Sequence, residues 1–474
     1  MPARFKEGML VLSGDVLLLF NPLQVDVAFR GAAAISVKEH VETGKDHGVF
    51  LSDSDGNVGN FLHKQSVEEL RRLGAVNGQD AVDLDTGAIL LDCELLESLF
   101  GLIGEKGKVV PEKYRRFVNE KARISFYGDF LYPLASKATL EQYLKEKAEG
   151  EICQDLLTCR KEIWEAIHSY SLKLLCLAPA QFIHFGTTRE LLSLMTDEIE
   201  NYEFLDWRGQ IFGVEEHPGA CAYSNSYIEK NTQIAASSYI EDSYIYEGTR
   251  IGENCVIAAV TLRGESIPDH TVLHGLKQKD GTFVILVYGV NDNPKETLEQ
   301  DGAFLGGSLK GFLNTAGLKP EEVWKDSGHY LWNAAFFPVC DTIGEAVHAA
   351  MLVLELASGN KERKEEYQRT RRRSLQESFE QADIQEIAAW QAKLNTQVRI
   401  TRFLLALRDR RSISEARAVF GSQGMTEAQL ERLLAIAEKS EFGLRMRLYY
   451  YLSRMTKGHV SEELEDKCFR YICD

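Results

Sequence analysis

The chain has 474 residues, 44% hydrophobic and 26% charged, ordinary values for a globular protein with room for two or three domains. A formal net charge of −17 argues against a nucleic-acid or anionic-membrane surface as the main partner, while leaving room for a local basic pocket for phosphates. Nine cysteines lie scattered without a CxxC pair or zinc spacing, no apolar signal core opens the chain and no window reaches membrane-spanning length, so a reduced cytoplasmic protein is expected.

Met9 to Ser13 and Ala32 to Val37 read as strands, the first a continuous apolar run of the kind buried in a parallel sheet. Gly48 to Leu51 and Gly59 to His63 are two more, separated by the turn-forming Asp53-Ser-Asp-Gly56. Ser66 to Leu73 reads as a helix opened by a capping box of Ser66 with Glu69. Ala88 to Leu91 is strand-like, Cys93 to Leu102 helical, and residues 109 to 175 mostly helical in pattern. A short strand, Gln181 to His184, and a helix, Thr188 to Met195, follow. Such alternation predicts an α/β domain over residues 1–205.

Isoleucines then recur at Ile228, Ile234 and Ile240 and at Ile245, Ile251 and Ile257, a spacing of six with one five-residue step, continued by Leu262, Ile267 and Val272. This period predicts a short parallel β-helix over residues 206–295, each coil stacking its apolar residue on the one below. A meander of antiparallel strands would favour alternation at two. Thr282 to Val290 is an apolar strand placed to close the module. Helices are expected to dominate the extension at 296–394, with Ile343 to Leu356 strongly apolar and the charged run Lys361 to Arg373 forming a solvated helix face. The tail, 395–474, is helical by pattern, with capping boxes at Ser412/Glu415 and Thr426/Gln429.

The first strand ends in Leu12-Ser13-Gly14-Asp15. Working residues in open α/β sheets sit beyond the carboxyl ends of strands, and an aspartate there can hold Mg2+ between nucleotide phosphates. The structural alternative is an aspartate in a turn. A small β-helix is also a common appendage of sugar-nucleotide enzymes, so the two features point the same way.

Ser13-Gly-Asp15, His47-Gly-Val-Phe50, Phe61-Leu-His-Lys-Gln-Ser66, Asp85-Thr-Gly87 and Phe182-Ile-His-Phe-Gly-Thr187 appear in that order ahead of the β-helix, with Trp332-Asn-Ala-Ala-Phe-Phe-Pro338 after it. This ordered set resembles the fucose-1-phosphate guanylyltransferase family of fucose salvage, found alone or fused to fucokinase, across about residues 8–395. The resemblance implies a partial sugar-nucleotidyltransferase (Rossmann-like) domain before the β-helix and the helical region. It implies guanylyl transfer from GTP to L-fucose 1-phosphate, giving GDP-L-fucose and pyrophosphate. Asp15 would be the Mg2+ ligand and Lys64 a phosphate partner, while Asp85 and Gly87 would hold sugar hydroxyls. His184 would touch phosphate or sugar, with Gly186 and Thr187 beside it in the substrate site. Without the resemblance, His184 reads as a structural histidine and Lys64 as a solvated edge lysine.

One departure qualifies this. Sugar nucleotidyltransferases open with a glycine-rich loop whose backbone N–H groups cradle the nucleotide phosphates. Only eight residues precede Met9 and they hold no such loop. The comparable string Gly306-Gly-Ser-Leu-Lys-Gly311 reads as a turn leading into a helix. The isolated chain is therefore expected to be inactive, its amino-terminal part missing or its nucleotide loop or kinase supplied by a partner chain. The alternative is a non-catalytic sugar-phosphate-binding or scaffold subunit. Acyl transfer on the β-helix, with His270 or His274, is a weaker third expectation.

Overall fold

The computed structural model describes residues 7–119, 121–146, 152–205, 211–212, 221–325, 328–420 and 424–456. The first six residues, the expected boundary after residue 205 and the end of the tail (457–474) lie outside them. The chain divides into two compact units, Met1–Gly186 and Thr187–Asp474. No helix among the described residues is long and apolar enough to cross a membrane.

The strands of three or more residues in the first unit are β1 (Met9–Val11), β2 (Val16–Phe20), β3 (Gly31–His40), β4 (Gly48–Ser52), β5 (Val58–His63), β6 (Ala81–Leu91), β7 (Ser171–Leu177) and β8 (Ala180–His184). Six of them form one sheet in the order β5-β4-β6-β3-β7, with β1 also on β6. The run Ala32-Ala-Ala-Ile35 makes β3 central, because side chains apolar on both faces can be covered on both. One face carries α1 (Cys93–Ile103) and α2 (Gln154–Ile167), whose Leu95, Ile163 and Ile167 pack on Ala32, Ala34 and Ile89. The other face carries the antiparallel β2–β8 ribbon, with Leu18, Phe20 and Ala180 against Ala33, Ile35 and Leu90.

Three expectations for this unit need correction. Met9 to Ser13 is not a buried parallel strand: β1 pairs antiparallel with β6, and Met9 and Leu10 are exposed. Residues 171–175 are not helical but belong to β7, the strand parallel to β3. A short apolar run does not separate a buried strand from a buried helix, and here the partner decides. The helix after β5 (Val67–Arg72) has only half its capping box: the Ser66 hydroxyl accepts the Glu69 N–H at 3.2 Å, but the Glu69 carboxylate turns to Arg72.

In the second unit the period of six becomes a β-helix with three short strands per coil. Ile240 stands on Ile257 and that on Leu273; Ile245 stands on Leu262; Ile234 stands on Ile251 and that on Ile267, all in parallel register and buried. Leu273, not Val272, continues the inner stack. Val272 faces out and packs with Tyr239 and Val256 on α3 (Thr188–Met195) through Leu192. The strand Phe283–Gly289 closes the module as an antiparallel partner of Thr271–Lys277.

The glycine string does lead into a helix, Leu309–Ala316, which Ser308 caps. The helix Ile343–Ala357 covers the closing strand. The charged run Lys361 to Arg373 is not one solvated face. Only Lys364–Gln368 is helical, and Arg372–Arg373 is a strand on Phe337–Pro338. There Arg373 donates to Gln278 Oε1 at 2.7 Å and to Asp280 at 2.8 Å, using its charge within the fold. A long helix, Ile384–Arg408, sets Trp390 edge-on to Tyr244 of the β-helix, with ring centroids 5.6 Å apart. Both expected capping boxes of the tail are present.

Candidate functional site

Strand β6 changes partner along its length. Its first half pairs with β4 (Val49 opposite Leu84) and its last with β1 (Val11 opposite Ile89). Between these lies Asp85-Thr86-Gly87, where the register with β3 also slips: Ile35 faces Ala88, yet Ser36 faces Asp85. Such a bulge frees a side chain from the pleat and re-aims it. Thr86, buried, fixes it by donating its hydroxyl to the Ile35 carbonyl at 2.7 Å. Gly87 has φ +70°, and its N–H donates to Asp85 Oδ1 at 2.9 Å. Asp85 is 9% exposed, and burial pushes its carboxyl up to about 6, against the Gly87 bond.

The Gly87 carbonyl accepts the Ser13 N–H at 3.0 Å, which anchors the Ser13-Gly-Asp15 turn beside the bulge. Ser13 Oγ donates a short bond to Asp15 Oδ1. Pairing of β2 with β8 then sets His184 opposite Val16, and the Phe185 N–H donates to the Asp15 carbonyl at 3.0 Å. His184 Nε2 thereby lies 3.6 Å from Asp15 Oδ2. The Ser13 hydroxyl, foremost, and His184 hold the Asp15 carboxyl below its ordinary value, so it is an anion at neutral pH. Gly186 is needed for space: a Cβ there would lie 2.7 Å from His184 Nε2 and 2.8 Å from Asp15 Oδ2.

His184 packs edge-on to His47, with centroids 4.8 Å apart. Exposed Lys64 joins this side through its backbone, its N–H donating to the His47 carbonyl at 3.0 Å. Thr187 opens the second unit as the cap of α3: its hydroxyl accepts the Glu190 N–H at 3.2 Å, and its own N–H donates to Glu190 Oε2 at 2.9 Å. Asp15, Asp85, Gly87, His184 and Gly186 thus converge, Lys64 flanks them, and Thr187 serves a helix end.

Tyr127 carries no local sequence signal. It rises from a π-helical turn, Phe126–Leu131, in a stretch read as ordinary helix. Its hydroxyl lies 2.9 Å from where a Gly87 Cβ would stand, a point also 2.7 Å from Ser13 Cβ. Burial, with Asp85 and Asp15 nearby, pushes its phenol up to about 12, so it stays protonated. Ser13 and His47 lie within the ordered motifs, which imply no role for either.

Among the described residues no group of three or more His, Cys, Asp or Glu side chains is set to hold a metal ion. The Asp15 side chain is 48% exposed and ionised beside a hydroxyl. That single carboxylate fits Mg2+, an ion that takes one or two carboxylates beside phosphate oxygens and water.

The family model described as the fucose pyrophosphorylase domain matches residues 1–342. The chain is 26% identical over 390 residues to the Mus musculus protein named fucose-1-phosphate guanylyltransferase, covering 74% of this chain and 66% of that protein. It is 25% identical over 397 residues to the Homo sapiens protein of the same name, covering 74% and 64%. It is 25% identical over 411 residues to the Arabidopsis thaliana bifunctional fucokinase/GDP-fucose pyrophosphorylase, covering 78% and 36%. The chain therefore spans just under two thirds of the mouse and human relatives and about a third of the plant one. Every converging residue of the first unit falls inside the matched span, and the chain belongs to the fucose pyrophosphorylase family.

Proposed function

We propose that this chain takes part in Mg-dependent nucleotidyl transfer from GTP to L-fucose 1-phosphate in fucose salvage. A phosphate oxygen of the sugar phosphate bonds to the α-phosphorus of GTP, the bond to the β-phosphate bridge breaks, and GDP-L-fucose and pyrophosphate result. The observation that carries this is the convergence of Asp15, Asp85, Gly87 and His184 from three separate stretches of a family-matched unit. Asp15 would hold Mg2+, which neutralises phosphate charge when bound. His184 and Lys64 supply polar and cationic contacts for the phosphate, and Lys64 is suited as a compact charge on a flexible stem. Asp85, a buried acceptor stiffened by the bulge, receives sugar hydroxyls. The rate gain comes from positioning and charge, with no covalent intermediate.

A sugar-phosphate-binding subunit completed by a partner chain is the second reading, and one observation favours it. The glycine string at 306–311 cannot cradle a nucleotide as it stands, because Leu309, Lys310 and Gly311 donate their N–H groups to Gly302, Asp301 and Ser308. The natural full-length protein, incubated with GTP, fucose 1-phosphate and Mg2+, is expected to release GDP-fucose and pyrophosphate in equal amounts. Asp15→Asn is expected to slow turnover about a hundredfold. Thermal stabilisation by fucose 1-phosphate without product, and none by GTP, supports the binding subunit instead. If neither ligand stabilises the protein and no product forms, both readings fall.

A further inference from the structure

We propose that Phe61 is a specificity-determining residue: its ring is the platform for the apolar side of the sugar, including the methyl group that L-fucose carries on its ring. This rests on the sugar-1-phosphate reading above. It assigns the part of that ligand for which the polar residues of the site provide no contact.

The platform is built by a row of residues across three strands. On β4, Gly48 lies opposite His63 of β5, and the pairing of Val49 with Leu84 sets Gly48 beside Asp85 of β6. Residues paired across a sheet point to the same face, so an imidazole, a glycine and a carboxylate stand side by side. The glycine leaves a gap in the row, and the Phe61 ring lies in it. A Cβ on Gly48 would stand 2.7 Å from Phe61 Cε2, 2.8 Å from its Cζ and 3.1 Å from Asp85 Cβ. Gly48 is not among the positive-φ residues, so space for the ring, rather than backbone conformation, requires glycine here. The ring and the carboxylate thus meet at one point of the sheet.

Two further rings fix and extend this surface. Phe50, 1% exposed, supports Phe61 with centroids 5.3 Å apart. His63 lies nearly parallel to Phe61, with an angle of 29° between the planes and centroids 6.2 Å apart. Phe61 is half-buried and His63 exposed, so an aromatic surface that starts in the core at Phe50 reaches solvent beside Asp85. Gly48, Phe50, Phe61 and His63 all belong to the ordered motifs, which imply no role for any of them.

Such a surface has two chemical characters. A carboxylate accepts hydroxyl protons, whereas an aromatic ring gains when C–H groups cover it and both surfaces leave water. A pyranose offers both, with hydroxyls around its rim and C–H groups across its face. In L-fucose the methyl on C5 is the one wholly apolar group. With Asp85 taking hydroxyls, the neighbouring Phe61 ring takes the C–H side and the methyl.

The test is calorimetric binding of L-fucose 1-phosphate and of D-arabinopyranose 1-phosphate, the same sugar without the methyl, in the anomer whose phosphate and ring hydroxyls match. The wild type is expected to bind the fucose compound about tenfold more tightly. In Phe61→Ala that ratio should fall to about twofold, with GTP affinity unchanged. A wild type that binds the two sugar phosphates equally, or a variant that keeps the full ratio, overturns the assignment and leaves the sugar-phosphate reading intact. A full ratio with weakened GTP binding would put a nucleotide base on the ring instead, and equally overturns it. A wild type that binds neither sugar phosphate sinks the parent reading and this one with it. Should Phe61→Ala not fold, Gly48→Ala keeps the ring but fills the gap where it lies. It should lower the same ratio, and an undiminished ratio overturns the platform.

Discussion

The β-helix is built mostly of strands of two or three residues and β6 is a strand of 11, and the two use the ladder in opposite ways. In the β-helix every coil repeats the one below, so Ile251 lies between Ile234 and Ile267 in unbroken parallel register. In β6 the ladder is interrupted: the partner changes from β4 to β1, the register with β3 slips, and Gly87 takes a left-handed φ. The stacked region turns nearly all its apolar contacts into stability. The interrupted region gives up strand pairing to present Asp85, and burial of that carboxylate works against the fold. Regular pairing serves stability here, and its interruption serves the site.

Three substitutions sharpen or break this contrast. The largest effect is expected from Ile251→Asp, which puts an unpaired charge into the stack and should cost about 4 kcal/mol or more. Loss of the β-helix transition in chemical denaturation checks it; an unchanged profile would mean the stack is not what holds the coils.

Asp85→Asn should act in the opposite direction. The folded-state pKa of Asp85, about 6, lies above the ordinary aspartate value near 3.9, so the folded state holds the proton more tightly. Its contribution to stability is complete below pH ~4 and is lost as pH rises through ~6. The variant should therefore be more stable than the wild type by on the order of 1–3 kcal/mol above pH 7, with the gain vanishing below pH 4. It should also lose affinity for fucose 1-phosphate. A stability gain independent of pH, measured by urea midpoints, would break the contrast.

Gly186→Ala is expected to change stability least, within about 1 kcal/mol, because Gly186 is not among the positive-φ residues and its would-be neighbours are side-chain ends. The methyl should nonetheless push His184 from Asp15 and weaken fucose 1-phosphate binding about tenfold. Unchanged binding would remove the Asp15–His184 pair from the site.

Legibility in the sequence followed the same division. Thr188–Met195 was bounded correctly because its cap, Thr187 with Glu190, lies within a single turn. The isoleucine stack was legible through eight positions and misplaced only at Val272, where the inner position falls one residue later, on Leu273. In the site, Asp85 and His184 take their roles from an ordered resemblance, whereas the place of Asp15 at a strand end by itself allows either a metal ligand or a turn aspartate, and His184 by itself reads as a structural histidine. Tyr127 had no local signal, because its meaning depends on Ser13 and Gly87, which lie far from it in the chain. Strand β7 was missed for a related reason: only its pairing with β3 distinguishes it from a buried helix segment.

The sequence by itself determined what repeats or closes locally: the β-helix period, the capped helices and the apolar central strand Ala32–Val37. Each of these is written in residues a few positions apart, where backbone geometry converts spacing directly into a face. Tertiary structure decided the slip opposite Ile35, the burial that raises Asp85, the approach of His184 to Asp15 and the placing of Tyr127 over Gly87. Those depend on which strand lies beside which, and pairing between distant segments is set by the packing of the whole unit rather than by any one segment's pattern.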